Sequence, residues 1–143
     1  MAWRAATHLA DTALRSRILV VNDDVRVAES IRSLLRAEGY DAEAVFDGIE
    51  ALETLARWPA DLILLDLIMP RLDGWEFLQR RVHDPGLQRS TVLVWSVADA
   101  NALERARKLG SNECLSRATT TPDQLLESVS RLLHNSAAQR KDV

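Results

Sequence analysis

Two short aliphatic runs, each stopped abruptly by acidic residues, constrain this 143-residue chain more than any other feature. Leu62-Ile63-Leu64-Leu65 is too brief for a helix and apolar at every position, the pattern of a strand buried on both faces of a parallel sheet. It ends on Asp66, and Met69-Pro70 and Asp73-Gly74 then mark a turn. Ile18-Leu19-Val20-Val21 repeats the arrangement and ends on Asn22-Asp23-Asp24. Open α/β sheets bind ligands at the carboxyl ends of their strands, so acids at two such ends mark a candidate site.

The remaining chain supplies alternating partners. Val27, Ile31, Leu34 and Leu35 recur at helical period before a stop at Gly39. Residues 41–46 read as a strand, and Asp47-Gly48 as a turn into a helix through Leu52, Leu55 and Ala56, closed by Trp58-Pro59. Trp75, Phe77, Leu78 and Val82 suit a third helix that Asp84-Pro85-Gly86 breaks. Thr91 to Trp95 is a fourth strand delivering Ser96, and a helix through Leu103, Ala106 and Leu109 stops at Gly110. Residues 112–115 make a fifth strand. Thr121 is an N-cap with Pro122 at the first helical position, and Leu125, Leu126, Val129, Leu132 and Leu133 line one side of the last helix.

Five strands alternating with five helices predict an α/β fold with a parallel sheet wrapped on both faces. Right-handed crossovers leave few arrangements, among them the flavodoxin-like, doubly wound strand order 2-1-3-4-5, chosen by precedent. That order sets Asp23 and Asp24 beside Asp66 and brings Ser96 and the end of the fifth strand to the same crevice. The expected organisation is a flexible leader at 1–16, one domain at 17–134 and a polar, frayed tail at 135–143.

A formal charge of −3, with no basic run, gives no footprint for DNA or RNA. A single cysteine, Cys114, excludes an internal disulfide and a cysteine-based metal cage, and reads as a small buried apolar residue. No apolar stretch approaches the roughly 20 residues of a membrane span, and residues 1–16 lack the apolar core of a secretion signal. A soluble, cytoplasmic protein is expected.

Carboxylates crowded in one crevice raise each other's pKa unless a cation sits among them. All-oxygen ligands with vacant positions suit Mg²⁺, which partners phosphates. Asp66 is then a candidate nucleophile toward phosphorus, with Ser96 as a hydroxyl donor and Arg117 as a cation for the phosphoryl oxygens. Taken singly, Ser96 also reads as a plain strand-end hydroxyl, and Arg117 as a surface charge.

Val-Val-Asn-Asp-Asp at 20–24, Leu-Asp-Leu-Ile-Met-Pro-Arg-Leu-Asp-Gly at 65–74 and Trp-Ser-Val at 95–97 resemble the receiver domain of two-component response regulators. The resemblance spans residues 17–134. It implies that Asp66 accepts a phosphoryl group from a histidine kinase or phosphotransfer protein. It also implies that Asp23, Asp66 and the main-chain carbonyl of Ile68 ligate Mg²⁺, and that Ser96 is the switch hydroxyl. The expected plan is a stand-alone receiver similar to the chemotaxis regulator, not an enzyme beyond its own phosphorylation and dephosphorylation. Its output would be a protein partner met through the face of the fourth helix, fifth strand and fifth helix. Three positions depart from the pattern. Asn22 stands where the family has an acid, with Asp24 placed to restore the charge and the Asn22 amide oxygen to meet the metal through water. Cys114 stands at the switch aromatic, and Arg117-Ala118 at the active-site Lys-Pro pair. A cis bond before alanine costs about 2.5–4 kcal/mol, so a trans 117–118 bond is expected. These departures keep a second reading open, a receiver-like binding module that works without phosphorylation. A flavin carrier on the same fold is disfavoured, because the loop after the first strand is acidic where a phosphate cradle needs bare amides.

Overall fold

The computed structural model describes residues 15–141. The expected leader at 1–16 falls almost entirely outside the described residues. Five strands, β1 (Arg17–Val21), β2 (Asp41–Val45), β3 (Leu62–Leu65), β4 (Thr91–Ser96) and β5 (Glu113–Ser116), form one sheet in the order β2-β1-β3-β4-β5, all pairs parallel. Five long helices alternate with them: α1 (Val25–Ala37), α2 (Gly48–Arg57), α3 (Gly74–Val82), α4 (Ala100–Lys108) and α5 (Pro122–Lys141).

The strands alternate in two directions because side chains on a pleated strand point to opposite faces. Leu19, Val21, Ile63, Leu65, Val92 and Val94 join α2, α3 and α4 through Ala51, Leu55, Phe77, Leu78 and Ala106. Ile18, Val20, Leu62, Leu64 and Leu93 meet α1 and α5 through Ala28, Ile31, Leu35, Leu125 and Val129. Burial on both faces explains why the central strands read as unbroken apolar runs.

Every long helix begins on a side-chain cap. Asp24, Asp47, Asp73 and Asp99 cap the first four, and Asp73 forms a capping box with Glu76. At α5, Thr121 Oγ1 accepts from the Gln124 amide at 3.2 Å while Gln124 Oε1 accepts from the Thr121 amide at 2.9 Å. These caps fix where each loop at the strand carboxyl ends gives way to helix.

Three details differ from the sequence expectation. The residues read as a helix break form a sixth, single-turn helix, Pro85–Gln88, started by Asp84, whose Oδ1 accepts from the Gly86 amide at 2.9 Å. Strand β5 lies one residue later than expected and includes Ser116, which pairs with Ser96. The last helix runs on to Lys141 instead of fraying at Asn135, since no glycine or proline interrupts it. No cis peptide occurs among the described residues, so the Arg117–Ala118 bond is trans. No described helix is long and apolar enough to cross a membrane.

Candidate functional site

The ladder register brings the strand ends together. Val21 pairs with Leu65, and Leu65 with Val94, so the residues that follow emerge along one edge of the sheet. The Asp66 amide continues the β1 ladder by donating to the Val21 carbonyl at 2.9 Å. Asp66 is 5% exposed and Ser96 fully buried. The Ser96 hydroxyl donates to Asp66 Oδ1 at 2.8 Å, and Ser96 Oγ accepts from the Leu67 amide at 3.4 Å.

Burial pushes the Asp66 carboxyl above its ordinary value, and the negative charge of Asp23 pushes the same way. The hydrogen bond from Ser96 and the amides of Ile68 and Leu67 pull against that. Among the described residues, the leading influences on this carboxyl include no basic side chain. A buried carboxylate with an acidic neighbour is a site that a divalent ion would relieve. The oxygens of Asp23 and Asp66 and a main-chain carbonyl fit hard Mg²⁺ with room for waters.

Three of the expected contributors are placed differently. Asp24 is the cap of α1: its Oδ1 accepts from the amides of Arg26 and Val27 at 3.1 and 3.3 Å. A short side chain just before a helix satisfies orphan amides more readily than it reaches across a crevice. Asn22 is 2% exposed, and its Oδ1 already accepts from the Asp24 amide at 2.9 Å, so the oxygen expected to meet a metal-bound water closes a local turn. Among the described residues no group of three or more His, Cys, Asp or Glu is placed to hold a metal. Asp23 is the acidic side chain whose charge acts on Asp66.

Arg117 is the third. Its guanidinium lies over the Trp95 ring, 5.0 Å from the centroid, in a groove with Arg26, Val27, Ser30 and Ile31. Its amide follows the ladder, donating to the Ser96 carbonyl at 2.9 Å. The cation expected beside Asp66 is thus drawn to the aromatic face on the α1 side of the sheet. Cys114 is half-buried, with Sγ 2.9 Å from Ser111 Oγ, and burial pushes its thiol up, away from the reactive thiolate. Ile68, Val97 and Val25 stand half-exposed or more at the strand ends, whereas Ala98 is buried.

The sequence reading missed one pair beside the loop that follows β3. Arg71 donates through Nε and Nη2 to the two carboxylate oxygens of Asp47, at 2.9 and 3.1 Å. Asp47-Gly48 was legible only as a turn, and no spacing rule links residues 24 positions apart.

Comparison with known proteins agrees with the geometry. The chain matches the family model described as "Response regulator receiver domain" over residues 18–130. It is 53% identical over 60 residues to the response regulator MprA of Mycobacterium leprae, and 52% identical to that of Mycobacterium avium. That stretch covers 42% of this chain and 26% of each relative, so the match spans about a quarter of their length. Among solved structures, the receiver domain of the Francisella response regulator 1452 superposes with a TM-score of 0.77 at 27% identity, covering 85% of this chain and 99% of that one. A receiver domain protein of Methanospirillum hungatei gives 0.78 at 24% identity, covering 87% and 98%, a likeness of fold. Strand order, a buried aspartate at the end of β3 and the match over residues 18–130 lead to one conclusion: this chain belongs to the response regulator receiver domain family.

Proposed function

We propose that the domain is a phosphorylatable switch of a two-component system, with Asp66 as the phosphoacceptor. The observation that carries this reading is the Ser96 hydroxyl donating at 2.8 Å to a carboxylate that is 5% exposed at the end of the central strand. In the proposed transfer, an Asp66 carboxylate oxygen attacks phosphorus on a phosphohistidine of a kinase or phosphotransfer protein. The phosphorus–nitrogen bond breaks, and its electron pair leaves with the imidazole. Ser96 orients the carboxylate through Oδ1 and then donates to the phosphoryl oxygens. Asp23, Asp66 and the Ile68 carbonyl would hold Mg²⁺, which neutralises charge on those oxygens when bound. The signal passes to a protein partner in the cytoplasm through the face of α4, β5 and α5.

A second reading, binding without phosphorylation, draws on two observations. Arg117 lies on Trp95 instead of at the carboxylate, and position 22 is a neutral amide whose oxygen is engaged. Incubation with Mg²⁺ and acetyl phosphate, read by intact mass, separates the two. Addition of one phosphoryl group to the natural chain and none to Asp66→Asn supports the switch. A protein that stays unmodified, and whose tryptophan fluorescence ignores beryllofluoride, supports the binding module.

A further inference from the structure

The loop from Asp66 to Gly74 is closed by its own bond, with the Gly74 amide donating to the Leu67 carbonyl at 2.9 Å. It is also anchored from outside. Arg71, the only non-glycine residue with positive φ among those described, adopts φ 66°, a left-handed conformation that side chains enter at a cost. From there its guanidinium fork grips both oxygens of Asp47. Asp47 is 8% exposed, and Oδ1 also accepts from the Glu50 amide at 2.8 Å as the cap of α2. The Arg71 bond holds the Asp47 carboxyl below its ordinary range, so the pair is ionised at neutral pH. One residue along, the Gly48 amide donates to the Leu72 carbonyl at 3.1 Å, an approach that a side chain would forbid, since a Cβ on Gly48 would fall 2.4 Å from that oxygen. The loop is thus fastened by its own backbone bonds, the Leu72 amide also donating to the Pro70 carbonyl at 2.9 Å, and at two neighbouring points to the start of α2. Ile68 lies inside the fastened span.

We propose that the Asp47–Arg71 pair is a positioning device that fixes the loop after β3, so that the Ile68 carbonyl and the Asp66 carboxylate face a divalent cation together. This rests on the metal site of the proposed function. Arg71 touches neither metal nor phosphoryl group; it acts by denying the loop its other conformations, and so shapes a weak two-acid site that has no spare ligand.

The test uses Arg71→Asn, which tolerates positive φ but lacks the fork, Asp47→Asn, which remains a good cap but lacks the charge, and their double variant. Two readouts are taken: Mg²⁺ affinity by tryptophan fluorescence, and amide exchange of Leu72 and Gly74 in metal-free protein. Each single variant is expected to weaken Mg²⁺ binding about three- to tenfold and to speed amide exchange, with the double variant no worse than either single. Arg71→Lys should recover part of the loss. Single variants that bind Mg²⁺ like the natural chain, or losses that add in the double, overturn the proposal. If the natural chain binds no Mg²⁺, the metal site itself fails. The clamp is then judged by metal-free exchange alone, and unchanged protection of Leu72 and Gly74 overturns it.

Discussion

The Arg117 guanidinium sits 5.0 Å from the centre of the Trp95 ring, so the one basic residue that follows β5 toward the strand ends is stacked on the α1 face of the sheet. A lysine in the same register is a compact, strongly hydrated charge with less to gain from lying on indole. The substitution therefore changes where the charge rests as well as its shape. Arg117→Ala should leave beryllofluoride affinity little changed while shifting Trp95 emission, since the contact removed is a half-buried cation–π pair of about 1 kcal/mol. A large loss of affinity with silent fluorescence would show that Arg117 is recruited to the phosphoryl group.

Asp66 holds its proton more tightly in the folded domain than in the unfolded chain, because burial raises its pKa. Stability without metal should therefore fall as pH rises from the ordinary carboxylate range through the raised folded value. Above that value the ionised group is a standing cost, and below the unfolded pKa it costs nothing. Asp66→Asn should melt higher than the natural chain at neutral pH, and the gain should vanish on acidification. Added Mg²⁺ should narrow the neutral-pH gap. Thermal unfolding across pH, with and without Mg²⁺, checks all three points.

Ser96→Ala removes the hydroxyl that donates to Asp66 and leaves a buried carboxylate with one fewer donor. A hydrogen bond to a charged group contributes about 1.5–3 kcal/mol, so chemical denaturation should show a loss in that range at neutral pH. The loss should shrink in acid, and beryllofluoride binding should weaken in parallel. Unchanged stability would mean that Ser96 finds no use in Asp66 before phosphorylation.

Ile68, two residues beyond Asp66, is 52% exposed and carries no group that could orient a water. Ala98, two residues beyond Ser96, is buried and equally inert. An acyl phosphate on Asp66 should be long-lived, and Ile68→Asn should shorten its lifetime severalfold by holding a water in line. Following loss of the phosphoryl group by mass over time measures it directly.

Gly74 allows a close approach of two backbone segments in the site. A Cβ there would stand 2.6 Å from both the Asp66 carbonyl oxygen and the Leu67 Cα, and neither backbone atom can swing away. Gly74→Ala should destabilise the domain by about 1–3 kcal/mol or more and disturb Mg²⁺ binding with it. Equilibrium unfolding with a normal Mg²⁺ titration would contradict the second half.

The sequence by itself determined the strands, the long helices and their alternation, and it set Asp66 and Ser96 at strand ends that the structure joins by a hydrogen bond. Leu62 to Leu65 and Ile18 to Val21 carry the pattern of doubly buried strands, which they are, and a strand's end fixes where Asp66 emerges. These are local rules, with periods of 2 and 3.6 that any window of residues displays. Tertiary structure decided how the polar side chains are shared out. Asp24 had a helix to cap and a crevice to reach, and the nearer amides won. Asn22 turned its oxygen to the Asp24 amide, Arg117 settled on Trp95, and Arg71 found Asp47 on another loop. Each choice is a competition between partners that differ by little energy, settled by which one the folded backbone brings within about 3 Å for a hydrogen bond, or within about 6 Å for a cation over a ring. For Asp24 and Asn22 that distance is set within a turn of two or three residues; for Arg117 and Arg71 it is a property of the assembled sheet and its loops, and no period in the chain encodes it.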